Sequence, residues 1–240
     1  MKQYIANIQS RGQLIDSRAD PFMALWYNSC GMKHFFWIMF FSLFCFSQTG
    51  EDVALRLENS LRSVQSLEAE FEHIYYSAMI STPLNEKGKL YFQKPDQMRW
   101  EYTDPEHNIY LYKGDRYQFY FPEDNQLMRG SLIEESHETE ILDILTGQKT
   151  LLSFYSVEFN PFPTDNPQNA QIKLTSKQKG DDSFILLEID KKKWLIQKAI
   201  FFDWEGNKTE FKFSQIKINT DLPKNIFELK LPPDVEIIER

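Results

Sequence analysis

Apolar and polar side chains alternate in short runs from Gly88 to Phe121: Leu90 and Phe92, then Met98, Trp100 and Tyr102, then Ile109 and Leu111, then Tyr117, Phe119 and Phe121. A period of two is that of a half-buried strand. Pro95, Pro105 and the Gly114-Asp115 pair separate the runs, so the links are short and neighbouring strands run antiparallel. Aromatic residues repeated at this period on successive strands predict one continuous apolar wall. Leu90, Phe92, Trp100, Tyr102, Ile109, Leu111 and Phe119 are its candidate lining residues.

The pattern before and after this block fixes the order of elements. Val53, Leu57, Leu61, Val64, Leu67 and Phe71 recur every three or four residues and predict an amphipathic helix, with Glu51 and Asp52 at its positive end and Arg56, Glu58, Arg62 and Gln65 on a solvated face. The strand period sets in near Ala69, and turns at 82–86, 95–96, 105, 114–115 and 123–125 give five strands in a row. Residues 136–155 read as two short helices around Gly147, and their apolar Leu142, Leu145, Leu152 and Phe154 are candidate ligand-lining residues of a helical lid. A loop at 160–169 carries Pro161, Pro163 and Pro167. Strands resume at 171–176, 183–190, 195–204 and 208–218, and residues 225–227 suggest one edge strand before a short tail.

These elements predict a mainly β (α+β) fold: an open, incompletely closed antiparallel β-barrel of about ten to eleven strands with an α-helical lid over an apolar cavity. Such a cavity binds a lipid or another hydrophobic ligand. Rings that fill a solid core are the alternative for any one aromatic, but an aromatic content of 15% with Trp100, Trp194 and Trp204 on strands or beside turns favours the cavity.

Residues 1–47 do not share the pattern. Lys33 and His34 precede an apolar run from Phe35 to Phe46 and a small or polar exit at Ser47-Gln48-Thr49-Gly50, the layout of a secretory signal peptide and shorter than the ~20 residues of a membrane span. Residues 1–31 are then an upstream extension, 32–47 the signal peptide and 48–240 a single exported domain of about 190 residues, enough for one substantial core. Acylation at Cys45 and an uncleaved anchor are alternatives, although Phe44 stands where lipoprotein processing wants a small residue. Cys30 and Cys45 both precede the expected cleavage point, so the domain relies on packing alone. Beyond Ser47 there are 23 Lys plus Arg against 33 Asp plus Glu, an acidic balance that argues against nucleic acid and against anionic headgroups.

Several blocks in one order resemble the family of the periplasmic outer-membrane lipoprotein carrier protein LolA. They are GKLYFQKPDQMRWEYTDP at Gly88 to Pro105, KGDRY at Lys113 to Tyr117, the helical stretch around Leu142 to Phe154, DWEGNKTEFKF at Asp203 to Phe213, and NIFELKLPPDV at Asn225 to Val235. The resemblance implies an open antiparallel barrel with a helical lid. It also implies the family's role, ferrying triacylated lipoproteins from an inner-membrane ABC exporter to an outer-membrane acceptor or receptor, without a cofactor and with the carrier acting as a monomer in the periplasm. By the same resemblance, Arg99 faces the cavity and hydrogen-bonds lid-helix carbonyls, of the first helix or of the stretch from Leu142 to Phe154. The other reading is an outward Arg99 paired with Glu101 or Asp96, and Arg99 and Trp100 must in any case face opposite sides of the strand.

No enzyme pattern competes. The three histidines beyond Ser47, His73, His107 and His137, lie in separate segments, and GxSxG, HExxH and glycine-rich phosphate loops are missing. Glu134, His137 and Glu138 could converge on a metal, but an acidic helix start is the simpler reading. Asn207-Lys208-Thr209 matches a glycosylation acceptor and is read as turn chemistry. The different-class alternatives are a periplasmic module that senses lipid or mislocalised lipoprotein, and a lipid-anchored outer-membrane receptor of the same fold.

Overall fold

Thr49 starts the first helix. Its hydroxyl accepts from the Asp52 amide at 3.1 Å while the Asp52 carboxylate accepts from the Thr49 amide at 2.9 Å, a reciprocal cap that fixes the entry to α1, Gly50–Ser63. The computed structural model describes residues 48–79, 81–132, 150–160, 166–178, 180 and 183–240. Residues 48–240 form one compact unit. The expected upstream extension, signal peptide and Cys45 acylation site lie outside the described residues, as do Glu134, His137, Glu138, Leu142, Leu145, Pro161 and Pro163.

The helix ends earlier than its hydrophobic spacing predicts. Leu67 and Phe71 belong to β1, Ser66–Tyr76, not to α1. A spacing of four is compatible with both periods: it returns to the same face of a helix and is also an even step along a strand. Six strands then follow in a row rather than five: β1, β2 (Leu84–Gln93), β3 (Gln97–Asp104), β4 (Ile109–Lys113), β5 (Arg116–Phe121) and β6 (Gln126–Ser131). After α2 (Leu151–Phe154) come β7 (Tyr155–Phe159), β8 (Asn169–Ser176), β9 (Phe184–Asp190), β10 (Ile196–Phe202), β11 (Lys208–Ile218) and β12 (Glu236–Glu239). Residues 225–228 form a turn, closed by the Glu228 amide on the Asn225 carbonyl at 3.1 Å, and the edge strand of the tail is β12, which pairs parallel to β6.

The twelve strands of the described residues make one sheet in the order β12-β6-β5-β4-β3-β2-β1-β11-β10-β9-β8-β7. β12 and β7 are its edges, so the barrel is not closed. Around β1 the pairing is antiparallel, with Phe71 opposite Gly88 on β2 and Phe213 on β11. Gly88 is required there: a Cβ would lie 2.2 Å from the Glu101 carbonyl oxygen and 2.7 Å from the Phe71 ring.

The alternation gives the sheet two unlike faces. One carries Phe71, Leu90, Phe92, Trp100 and Phe213, and at the β7–β9 end it receives α1, whose Val53, Ala54 and Leu57 are fully buried with Ile172, Leu174 and Ile189. The other carries Ile109, Tyr120 and Leu127, covered by Leu229 and Val235 of the tail. Burial of that many aliphatic side chains, each stabilising by about 1.5–3 kcal/mol, locates the main core between α1 and the sheet.

Candidate functional site

The α1 face of β11 and β1–β5 is lined with aromatic rings. Phe71 meets Trp100 edge-on at 5.0 Å and Tyr102 at 4.9 Å, and Trp100 lies 5.3 Å from Phe211. Tyr102 leads to Tyr110 at 5.3 Å, Tyr110 to Phe119 at 5.0 Å, and Phe119 to Tyr117 at 4.6 Å. Neighbouring strands bring these rings together because each cross-strand partner shares the face: Leu90 opposite Trp100, Trp100 opposite Tyr110, Tyr110 opposite Phe119. Leu90 and Phe92 are buried at the floor of this wall, whereas Trp100, Tyr102, Tyr110, Tyr112 and Phe119 are half-buried. Edge-to-face rings with exposed flanks form a rigid apolar surface of the kind that receives hydrocarbon.

Of the sequence-predicted lining residues, Leu90, Phe92, Trp100, Tyr102 and Phe119 share this face. Leu152 and Phe154 pack instead against the α1 core at the other end of the sheet. Arg99, Ile109 and Leu111 lie on the opposite face: Arg99 is registered with Tyr91 and Leu111, so it cannot share a side with Trp100. Arg99 is 8% exposed, and its donors are satisfied by Glu101 at 3.0 Å and by the Ile226 carbonyl of the tail at 3.2 Å. His107 approaches the other Glu101 oxygen at 3.3 Å. The cation that does cap helix backbone is Lys94, whose Nζ reaches the Arg62 carbonyl at 2.5 Å and the Leu61 carbonyl at 3.3 Å. Lys94 stands in the same KPDQMR block, five residues before Arg99, and lysine at a strand end facing a helix C-terminus was the missed signal.

One polar group interrupts the wall. His73, on β1 opposite Glu86, places Nδ1 3.0 Å from Glu86 Oε2 and 3.3 Å from the Tyr102 hydroxyl, and its ring stacks on Phe211 at 4.4 Å. Burial pushes the His73 imidazole down and, with the nearby Glu106 charge, pushes the Glu86 carboxyl up. Burial also pushes the Tyr102 phenol far up, so it keeps its proton. No group of three or more metal-ligating residues occurs among the described residues. A cavity of about 690 Å³ lies on the tail face, lined by Lys113, Arg116, Arg129 and Arg240 beside Glu228 and Glu239. That lining is too charged for acyl chains.

The family model described as outer membrane lipoprotein carrier protein LolA matches residues 62–230. The chain belongs to the LolA family. An outer-membrane lipoprotein carrier protein of Pseudoalteromonas translucida is 23% identical over 191 residues, covering 78% of this chain and 86% of the relative. One of Legionella pneumophila is 25% identical over 203 residues, covering 85% and 96%. Among solved structures, an uncharacterized conserved protein from Thermus thermophilus has a TM-score of 0.52 at 16% identity over 79% of this chain and 98% of its own, a likeness of fold. The LolA match spans both the aromatic wall and the tail that covers Arg99.

Proposed function

We propose that this LolA-family chain is a carrier that binds the acyl chains of lipoproteins released from the inner membrane and conveys them through the periplasm to the outer membrane. The observation that carries the reading is the half-buried aromatic wall of Trp100, Tyr102, Tyr110 and Phe119 on the helix-bearing face of an unclosed sheet. Each exposed methylene costs about 0.8 kcal/mol, so acyl chains need a shield to cross water. A wall of rings supplies that shield without enclosing the chains, which keeps release possible. Leu90, Phe92, Trp100, Tyr102 and Phe119 are the lipid-contacting residues in this reading. An ABC exporter is the donor, and a receptor or the outer membrane itself is the acceptor. Transfer needs no covalent step and no cofactor.

The test is to secrete the chain, purify it from the periplasm without detergent and weigh it by native mass spectrometry. A co-purifying triacylated lipoprotein, lost in Trp100→Ala, is the expected outcome. An empty protein, or bound phospholipid with no lipoprotein, overturns the carrier role.

A further inference from the structure

A row of polar side chains beside the β4–β5 turn serves neither the aromatic wall nor the core. Lys113 on β4 is registered opposite Arg116 on β5, and Arg116 opposite Ser131 on β6, so the three share one face and line the cavity of about 690 Å³ on the tail side. Residues in direct register stand with their Cβ atoms about 4.5–5.5 Å apart, and like charges so placed repel. The next row along the same strands, Gln118, Arg129 and Glu239, balances its charge internally, because Arg129 bonds Glu239 at 2.6 Å. The first row holds no acid. Neither Lys113 nor Arg116 forms an ion pair among the described residues, and the Ser131 hydroxyl makes no hydrogen bond there. Glu228, the other acidic side chain of the lining, pairs with neither cation.

We propose that Lys113, Arg116 and Ser131 bind the phosphoryl group of a phosphate ester. They supply an ammonium, a guanidinium fork and a hydroxyl from three adjacent strands, and charge-assisted bonds to phosphate are the strong ones. An anion between Lys113 and Arg116 turns their repulsion into two attractions. The domain is acidic overall, so its field does not draw anions from a distance and these contacts themselves must hold the ligand. Both cations are exposed, so salt weakens the site. The cavity is larger than one phosphoryl group, and Gln118 and Leu229 in its lining suit the small polar body that an ester carries. The same ester occurs in a soluble metabolite and in a phospholipid headgroup. Lys113 and Arg116 face away from Phe119, so this site goes beyond the carrier reading and does not depend on it.

The experiment titrates the secreted protein with glycerol 3-phosphate and with glycerol by calorimetry, and measures its cosedimentation with phosphatidylcholine vesicles that contain or lack phosphatidylglycerol. The variants are Lys113→Gln, Arg116→Gln and the double substitution, which fold because both side chains are exposed and pack against nothing that needs their charge. Lys217→Gln removes the same charge from a lysine paired with Glu68 at 3.3 Å on β11 and serves as the control. The wild type is expected to bind the phosphate ester and not glycerol. Each single substitution is expected to weaken that binding roughly tenfold, the effect of one charge-assisted hydrogen bond, and Lys217→Gln to leave it unchanged. Binding of glycerol 3-phosphate without retention on phosphatidylglycerol vesicles supports the site and assigns it to a soluble ester. Retention on those vesicles that the double substitution abolishes supports the site and assigns it to a headgroup. A wild type that binds none of these probes, or a double variant that binds them as the wild type does, overturns the inference. Either result leaves the carrier reading standing, since Trp100→Ala tests the opposite face.

Discussion

On the face that carries α1, the β7–β9 end is filled by aliphatic side chains and the β1–β5 end is paved with aromatic rings. At the first end Leu57, Ile172 and Ile189 have no exposed surface. At the second, Trp100, Tyr110 and Phe119 keep part of theirs. Aliphatic side chains interdigitate to native density and gain most from complete burial. Rings meeting edge-on hold their shape while one flank stays free, so they can contact a guest without collapsing into each other. One sheet thus stores its stability at one end and keeps its proposed binding surface at the other.

That division predicts unequal responses to truncation. Leu57→Ala should lower unfolding free energy by about 2–5 kcal/mol, read by urea denaturation, because a fully buried leucine leaves a cavity. A loss below about 1 kcal/mol would dissolve the distinction between core and wall. Arg99→Leu should lower stability by about 2–3 kcal/mol, since it strands Glu101 and the Ile226 carbonyl under the tail, and lipid affinity should not change. Cargo retained on this variant with unchanged stability would return Arg99 to a lid-closing role. Phe119→Ala should reduce stability by about 1 kcal/mol while weakening binding of an apolar dye severalfold. Equal loss in stability to that of Leu57→Ala would make the wall a core.

The smallest effect is electrostatic. Burial raises the Glu86 carboxyl above its ordinary value of 4.5, so the folded state binds its proton more tightly than the unfolded chain does. Stability is then lost as pH rises from the unfolded value through the raised one, and Glu86→Gln should remove that slope. The gain at neutral pH should be under about 1 kcal/mol, visible as a higher melting temperature at pH 7 and none at pH 4. A pH slope unaltered in Glu86→Gln would place its origin elsewhere.

Much of this was legible in the chain. The period-two runs located β2 to β5 and β8 to β11, and the KPDQMRWEY block with its C-terminal companions pointed to the LolA family. Misreadings came where periods coincide or contacts are distant. Leu67 and Phe71 satisfy helix and strand alike, and only the pairing of Phe71 with Gly88 and Phe213 assigns them to β1. The 225–227 segment looks extended but turns, because its backbone closes on itself while β12 takes the edge beside β6.

The sequence by itself determined that Arg99 and Trp100 oppose each other across β3, since neighbouring side chains on a strand cannot share a face. It did not determine which of them looks toward the helix. Only the tertiary structure decided that, because α1 and the tail compete for two nearly equally apolar faces. Ile226, 127 residues beyond Arg99, supplies the carbonyl that makes burying a guanidinium on the tail side tolerable. A contact over that sequence distance leaves no local period to read.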